Sequence, residues 1–134
     1  MAKIRHIAIT TADPDKTAAW YVEAFGLQEA GRSPSGAVYL TDGDINLTVL
    51  RERQPGDTQR TGVGLDHFGF MDEDPEAVYR RLEAMGVQRL PDQPIGTMRF
   101  EAKFVGPDGV ILDMGETGWV GARPVESAAS ATAE

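Results

Sequence analysis

The strongest constraint on this chain is that most of it is written twice. The stretches His6-Ile7-Ala8-Ile9, Asp13-Pro14-Asp15 and Glu23-Ala24-Phe25-Gly26-Leu27-Gln28 reappear, in the same order, as His67-Phe68-Gly69-Phe70, Asp74-Pro75-Glu76 and Glu83-Ala84-Met85-Gly86-Val87-Gln88. Each histidine stands seven residues before the aspartate of its Asp-Pro pair, and the aspartate-to-glycine interval is 13 in one copy and 12 in the other. Self-similarity of this kind marks a structural unit used more than once.

Each copy has the same local logic. A short β-branched or aromatic run, residues 4–10 or 65–71, reads as a strand. Asp13 and Asp74 follow as N-caps, with Pro14 and Pro75 in the first helical turn, where a missing N–H costs nothing. Ala18, Tyr21, Val22 and Phe25 in one copy, and Val78, Leu82 and Met85 in the other, then recur at helical spacing, and Gly26 and Gly86 close the helices. After each helix the pattern turns to short alternating runs split by Asp-Gly turns: residues 37–41 and 45–50 around Asp42-Gly43, and residues 98–105 and 110–114 around Asp108-Gly109. The chain therefore divides into a first βαβββ module (3–50), a polar linker (51–64) and a second module (65–118), all within one domain of residues 1–122. The segment 123–134 is too poor in apolar mass to hold itself down and is expected to be flexible. The fold class is α+β.

Composition narrows the partners. Thirteen basic against twenty-one acidic residues give a net charge of −8, which argues against nucleic acid or an anionic membrane as main partner and for a small molecule or another protein. With no cysteine, any metal must be held by nitrogen and oxygen. No apolar run is long enough to span a bilayer, and residues 1–6 carry no apolar leader, so a cytoplasmic protein is expected.

Strand alternation shows where the only two histidines point. His6 shares its face with Ile4 and Ala8, and His67 with Leu65 and Gly69, while Ile7, Ile9, Phe68 and Phe70 take the opposite, helix-covered faces. Small Ala8 and Gly69 leave room beside the imidazoles. Asp113 interrupts the apolar run Val110-Ile111-Leu112-Asp113-Met114, and an inward carboxylate is expensive unless paired or bound to a cation. Two imidazoles and a carboxylate suit a divalent metal, so His6, His67 and Asp113 are the expected ligands. The bland alternatives are hydrogen-bonded core histidines and an Asp113 paired with Arg99 or Lys103.

At this point the chain resembles the vicinal oxygen chelate superfamily, which includes glyoxalase I, methylmalonyl-CoA epimerase, extradiol dioxygenases and the bleomycin and fosfomycin resistance proteins. The motifs that carry the resemblance are Ile4-Arg5-His6-Ile7-Ala8-Ile9, Leu65-Asp66-His67-Phe68-Gly69-Phe70 and Gly106-Pro107-Asp108-Gly109-Val110-Ile111-Leu112-Asp113-Met114. It implies paired modules forming cupped mixed sheets with helices on the outer face. It also implies one divalent ion per site (Fe, Mn, Ni or Zn), held by His6, His67 and Asp113, the last a shorter residue than the usual glutamate. The fourth family position, a glutamate in glyoxalase I, is matched most nearly by Asn46, which cannot serve as a carboxylate base.

Two histidines and a carboxylate leave coordination positions open for a substrate that chelates through neighbouring oxygens. Lyase or isomerase chemistry and dioxygenase chemistry are then equally open. Glu101 is the candidate general base, with Asn46 as second catalytic candidate, and Tyr39, Thr48, Arg99 and Lys103 are candidates for holding substrate. The alternative for Arg99, Glu101 and Lys103 is an ordinary solvated face, for Tyr39 a packed ring, and for Asn46 a polar residue beside a turn. The rival function is a metal-free protein of the bleomycin-resistance type that sequesters an antibiotic or other ligand. A homodimer is implied by the resemblance, since members this short often build each cup from two chains.

Overall fold

A computed structural model describes residues 1–53, 62–92 and 101–126. Among the described residues there are eight strands and two α-helices, in the order β1 (Lys3–Thr11), α1 (Pro14–Phe25), β2 (Gln28–Arg32), β3 (Val38–Thr41), β4 (Asn46–Arg51), β5 (Gly64–Met71), α2 (Pro75–Ala84), β6 (Gln88–Arg89), β7 (Glu101–Val105) and β8 (Ile111–Gly115). The order is βαβββ twice, in an α+β fold with mixed parallel and antiparallel pairing. No helix among the described residues is long and apolar enough to cross a membrane.

The chain separates into two units, one of residues His6–His67 with Trp119–Arg123, the other of Met1–Arg5, Phe68–Gly118 and Pro124–Glu134. Strands β1 and β5 each contribute to both, β5 changing unit between His67 and Phe68.

In the unit that carries the histidines, β1 pairs in parallel with β4, and β4, β3 and β2 follow antiparallel. Helix α1 begins where expected: the Asp13 carboxylate accepts from the Lys16 N–H at 3.2 Å and Pro14 takes the first turn. Its buried Ala18 packs on Ile9, Val38, Leu40 and Val49, with Tyr21, Leu27 and Leu47 around them. Ile9 thus lies on the helix face of β1, as alternation requires. Strand β2 precedes the first alternating run read from sequence, residues 37–41. Gln28-Glu29-Ala30-Gly31-Arg32 has little intrinsic strand preference, and its extended form rests on the ladder with β3, interrupted by an irregularity between Glu29 and Gly31.

In the other unit β8 runs parallel to β5 and antiparallel to β7, and β6 pairs with β7. Helix α2 repeats the cap, with Asp74 accepting from the Ala77 N–H at 3.2 Å. Tyr79, Ala102, Phe104 and Met114 form the core there, flanked by Phe70, Val78, Leu82 and Val87. The turn between β7 and β8 is a short 3-10 segment, Pro107–Gly109, closed by the Gly106 N–H donating to the Val110 carbonyl at 2.8 Å. The other Asp-Gly pair makes a turn of its own kind: the Asp42 carboxylate accepts from the N–H groups of Asp44 and Ile45 at 2.8 and 2.7 Å.

Candidate metal centre

The face of β1 and β4 opposite α1 carries a row of buried polar side chains. His6 is the ladder partner of Asn46, and Ala8 of Thr48. On the next strand Thr41 lies opposite Asn46 and Tyr39 opposite Thr48. Cross-strand partners share a face, so His6, Asn46, Thr48 and Tyr39 stand together. His6, Asn46, Thr48 and His67 are all buried, Tyr39 half-buried.

The hydrogen bonds in this row fix the state of the His6 ring. The Asn46 side-chain N–H donates to the Val120 carbonyl at 2.7 Å, which leaves Asn46 Oδ1 facing His6 Nδ1 at 2.7 Å. That oxygen also accepts from the Thr48 hydroxyl at 2.6 Å. An amide oxygen only accepts, so His6 Nδ1 carries the proton. His67 Nδ1 lies 2.6 Å from Asp66 Oδ2, and a carboxylate again forces the proton onto Nδ1. In its neutral form each ring therefore presents a lone pair at Nε2, and the two Nε2 atoms are 3.1 Å apart. Two lone pairs at that distance repel unless a positive charge, a proton or a metal cation, lies between them.

Asp66 is bound on its other oxygen by the Arg53 guanidinium. Burial pushes its carboxyl pKa up, but the hydrogen bonds from His67 and Arg53 and the Arg53 charge outweigh this and hold it at about 2. Sequence reasoning assigned Asp66 and Arg53 no part, because alternation sends Asp66 to the face opposite His67.

Residues 119–123 lie over the same face. The Trp119 indole stacks on the His6 ring with centroids 4.6 Å apart and planes at 8°. The Val120 carbonyl takes the Asn46 amide, and the Gly121 carbonyl accepts from the Thr41 hydroxyl at 2.6 Å. Arg123 closes the strap, its N–H on the Asp44 carbonyl at 2.9 Å and its Nε 2.8 Å from the Asp44 carboxylate. Trp119, to which the sequence reading assigns no chemistry, is thus a direct neighbour of a candidate ligand. No local pattern announces it.

In the other unit, Asp113 on β8 is the ladder partner of Gly69 on β5 and of Lys103 on β7. It is buried, and its Oδ1 accepts from the Lys103 ammonium at 2.7 Å, which also lies 3.4 Å from the Glu101 carboxylate. The Glu101 and Lys103 side chains are only 19% and 12% exposed, so this part of the polar row on β7 is not a solvated face. Arg99 lies outside the described residues.

The two ladders also settle which residue of the first copy corresponds to Asp113. His6 matches His67, hence Ala8 matches Gly69; the partner of Ala8 is Thr48 and that of Gly69 is Asp113. By register the counterpart is Thr48; Asn46, the nearest match that the resemblance implies for the fourth family position, stands two residues before it.

Paired βαβββ units, opened by strands that each bear a buried histidine, define the class of protein. The family model for the glyoxalase/bleomycin resistance protein/dioxygenase superfamily matches residues 3–114, and the chain belongs to that superfamily. Among curated proteins none matches the chain. Among solved structures, the chain is similar to a variant of the Streptomyces coelicolor methylmalonyl-CoA epimerase in complex with 2-nitronate-propionyl-CoA, at 22% identity and TM-score 0.66, covering 84% of this chain and 94% of that one. A methylmalonyl-CoA epimerase from Mycobacterium tuberculosis gives 18% identity and TM-score 0.65 over 98% of this chain and 91% of that chain. A 2,3-dioxygenase from Pseudomonas sp. KL28 gives 20% identity and TM-score 0.68 over 94% of this chain and 44% of that chain. At these identities the likeness establishes the fold.

Proposed function

We propose that the protein is a divalent-metal-dependent enzyme acting on a small substrate that chelates the ion through neighbouring oxygens. One observation carries the reading: both histidines are anchored at Nδ1 by acceptors, and their Nε2 atoms face each other at 3.1 Å. Metal-ligating histidines commonly give the second ring nitrogen to a carboxylate or carbonyl, which sets the tautomer and aims the lone pair. The donor set is nitrogen and oxygen, without thiolate, which suits Fe, Mn, Ni or Zn.

Asp113 is the third ligand in this reading. As ladder partner of Gly69, two residues beyond His67 on β5, it belongs to the face of β5 that His67 occupies. Lys103 then serves to orient Asp113 and offset its charge, and Glu101 beside it is the candidate general base. Asn46 and Thr48 are turned toward His6 rather than toward a substrate: both polar groups of the Asn46 amide are engaged, and Thr48 donates to it. We therefore read them as positioning residues. Tyr39, beside Thr48, remains a candidate substrate contact. The ion supplies Lewis acidity toward two adjacent substrate oxygens.

The similar structures include epimerases and a dioxygenase, and with Thr48 and Asn46 where a carboxylate base would stand we read the reaction as other than a glyoxalase I-type proton shuttle. We read the protein as one domain of two modules, cytoplasmic, and homodimeric; light scattering on the purified chain tests the last. Elemental analysis of untagged protein tests the metal reading. Less than about 0.1 ion per chain, unchanged after reconstitution with Fe(II), Mn(II), Ni(II) or Zn(II), would refute it. The histidine pair would then share a proton, and metal-free ligand sequestration would become the better reading.

A further inference from the structure

The repeat gives each histidine an Nδ1 partner but draws the two partners from different places. For His6 the acceptor is Asn46, its ladder partner on β4. Running the β5–β8 register back one residue from Phe68 and Leu112 makes Ile111 the counterpart of Asn46 in the second copy. An isoleucine side chain accepts no hydrogen bond. The position before each histidine is exchanged as well, Arg5 in the first copy and Asp66 in the second. Where the ladder offers no acceptor, the strand carries its own.

We infer that Asp66, held by Arg53, is the positioning residue of His67, doing from β5 what Asn46 does for His6 from β4. Its purpose rests on the reading of His67 as a metal ligand; its geometry does not. The Asp66 and Arg53 side chains are 5% and 18% exposed. A carboxylate so buried is costly unless its charge is compensated and its lone pairs are used. Arg53 supplies the charge on one oxygen, which leaves the other for His67 Nδ1 at 2.6 Å. That bond keeps the proton on Nδ1 and restrains the ring about χ2, a broad torsion without it. The two anchors differ in charge, an amide for His6 and a carboxylate for His67. His67 is accordingly the stronger donor of the pair.

The test uses the full chain labelled with 15N, with both histidine tautomers read from two-bond 1H–15N correlations near about pH 8, where imidazoles are largely neutral. Wild-type protein is expected to show both rings protonated at Nδ1. In Asp66→Asn, a substitution of equal size, the guanidinium can only donate and captures the amide oxygen, which turns the amide N–H₂ toward His67. His67 alone then switches to the Nε2–H tautomer, as it does in Asp66→Ala, while His6 is unmoved. Zn(II) affinity falls about 10- to 100-fold in both variants. A wild-type His67 protonated at Nε2 would overturn the inference, as would variants that change neither tautomer nor affinity. If the tautomer switches but wild-type protein takes up no Zn(II), the positioning role stands and the metal reading falls.

Discussion

Gly121→Ala tests whether the strap over His6 is packed as tightly as its contacts imply. Gly121 has a φ of +84°, and a Cβ built on it would lie 2.9 Å from the Cβ atoms of both Ala30 and Thr41. The left-handed backbone alone costs a residue with a side chain about 1–2 kcal/mol. Carbon atoms rest at roughly 3.5–4.0 Å, so the strap must also retreat by more than about half an ångström, and overpacking of that sort costs about 1–3 kcal/mol. The alternative response is release. It forfeits the Asn46 and Thr41 hydrogen bonds, about 1 kcal/mol each, and the Trp119 stack, about 0.5–1.5 kcal/mol. The two routes overlap, the first at about 2–5 kcal/mol and the second at about 2.5–3.5 kcal/mol. Gly36→Ala is the control, because Gly36 has a φ of +95° and nothing within 4 Å of its Cβ, so it carries the backbone cost alone. Urea denaturation of the two variants isolates the steric part as their difference, about 1–3 kcal/mol. In a Trp20→Phe background Trp119 is the only tryptophan, and its emission should shift to the red in Gly121→Ala as the ring leaves His6. Equal stabilities for the two alanine variants with unmoved Trp119 emission would refute the packing argument.

Three further outcomes follow from the same geometry. His67→Ala should lower Zn(II) affinity by more than about 100-fold, beyond the loss expected for an outer partner, with the far-ultraviolet circular dichroism retained; undiminished affinity would remove His67 from the ligand set. The Asp66 carboxyl is held at about 2, below its ordinary range near about 4, so its ion pair contributes stability fully above about pH 4 and loses it as the pH falls toward 2. Wild type should accordingly exceed Asp66→Asn in urea midpoint at pH 7, and the gap should close by about pH 2; a gap independent of pH would contradict the assignment. Leu40→Ala, at a position with no solvent exposure under α1, should cost about 2–5 kcal/mol by calorimetry or urea titration, and a loss below about 1 kcal/mol would place Leu40 outside the core.

Much of the helix and strand pattern was legible because it rests on neighbours in sequence. Asp13 and Asp74 cap α1 and α2 through N–H groups three residues away, and period-two alternation put Ile9 under the helix and His6 on the other face. Strand β2 was not legible, since Gln28-Glu29-Ala30-Gly31-Arg32 is extended through its ladder with β3 and not through any preference of its own. Glu101 and Lys103 illustrate a middle case. Alternation joined them in one row, but only the structure, with Lys103 on Asp113, showed that these two are half-buried.

By itself, the sequence determined that the chain is a duplicated βαβββ unit and that each opening strand carries a histidine on its roomier face, because periodicity reports which side of a strand a residue takes. What surrounds those histidines was decided in three dimensions. The ladder register, set by backbone pairing across some 40 residues, made Asn46 the anchor of His6 and Thr48 the counterpart of Asp113. The stack of Trp119 on His6 and the grip of Arg53 on Asp66 join segments that no local period connects. Hydrogen bonds act over three ångströms of space whatever the distance along the chain, so tautomer, charge and cover around the histidine pair are properties of the tertiary structure.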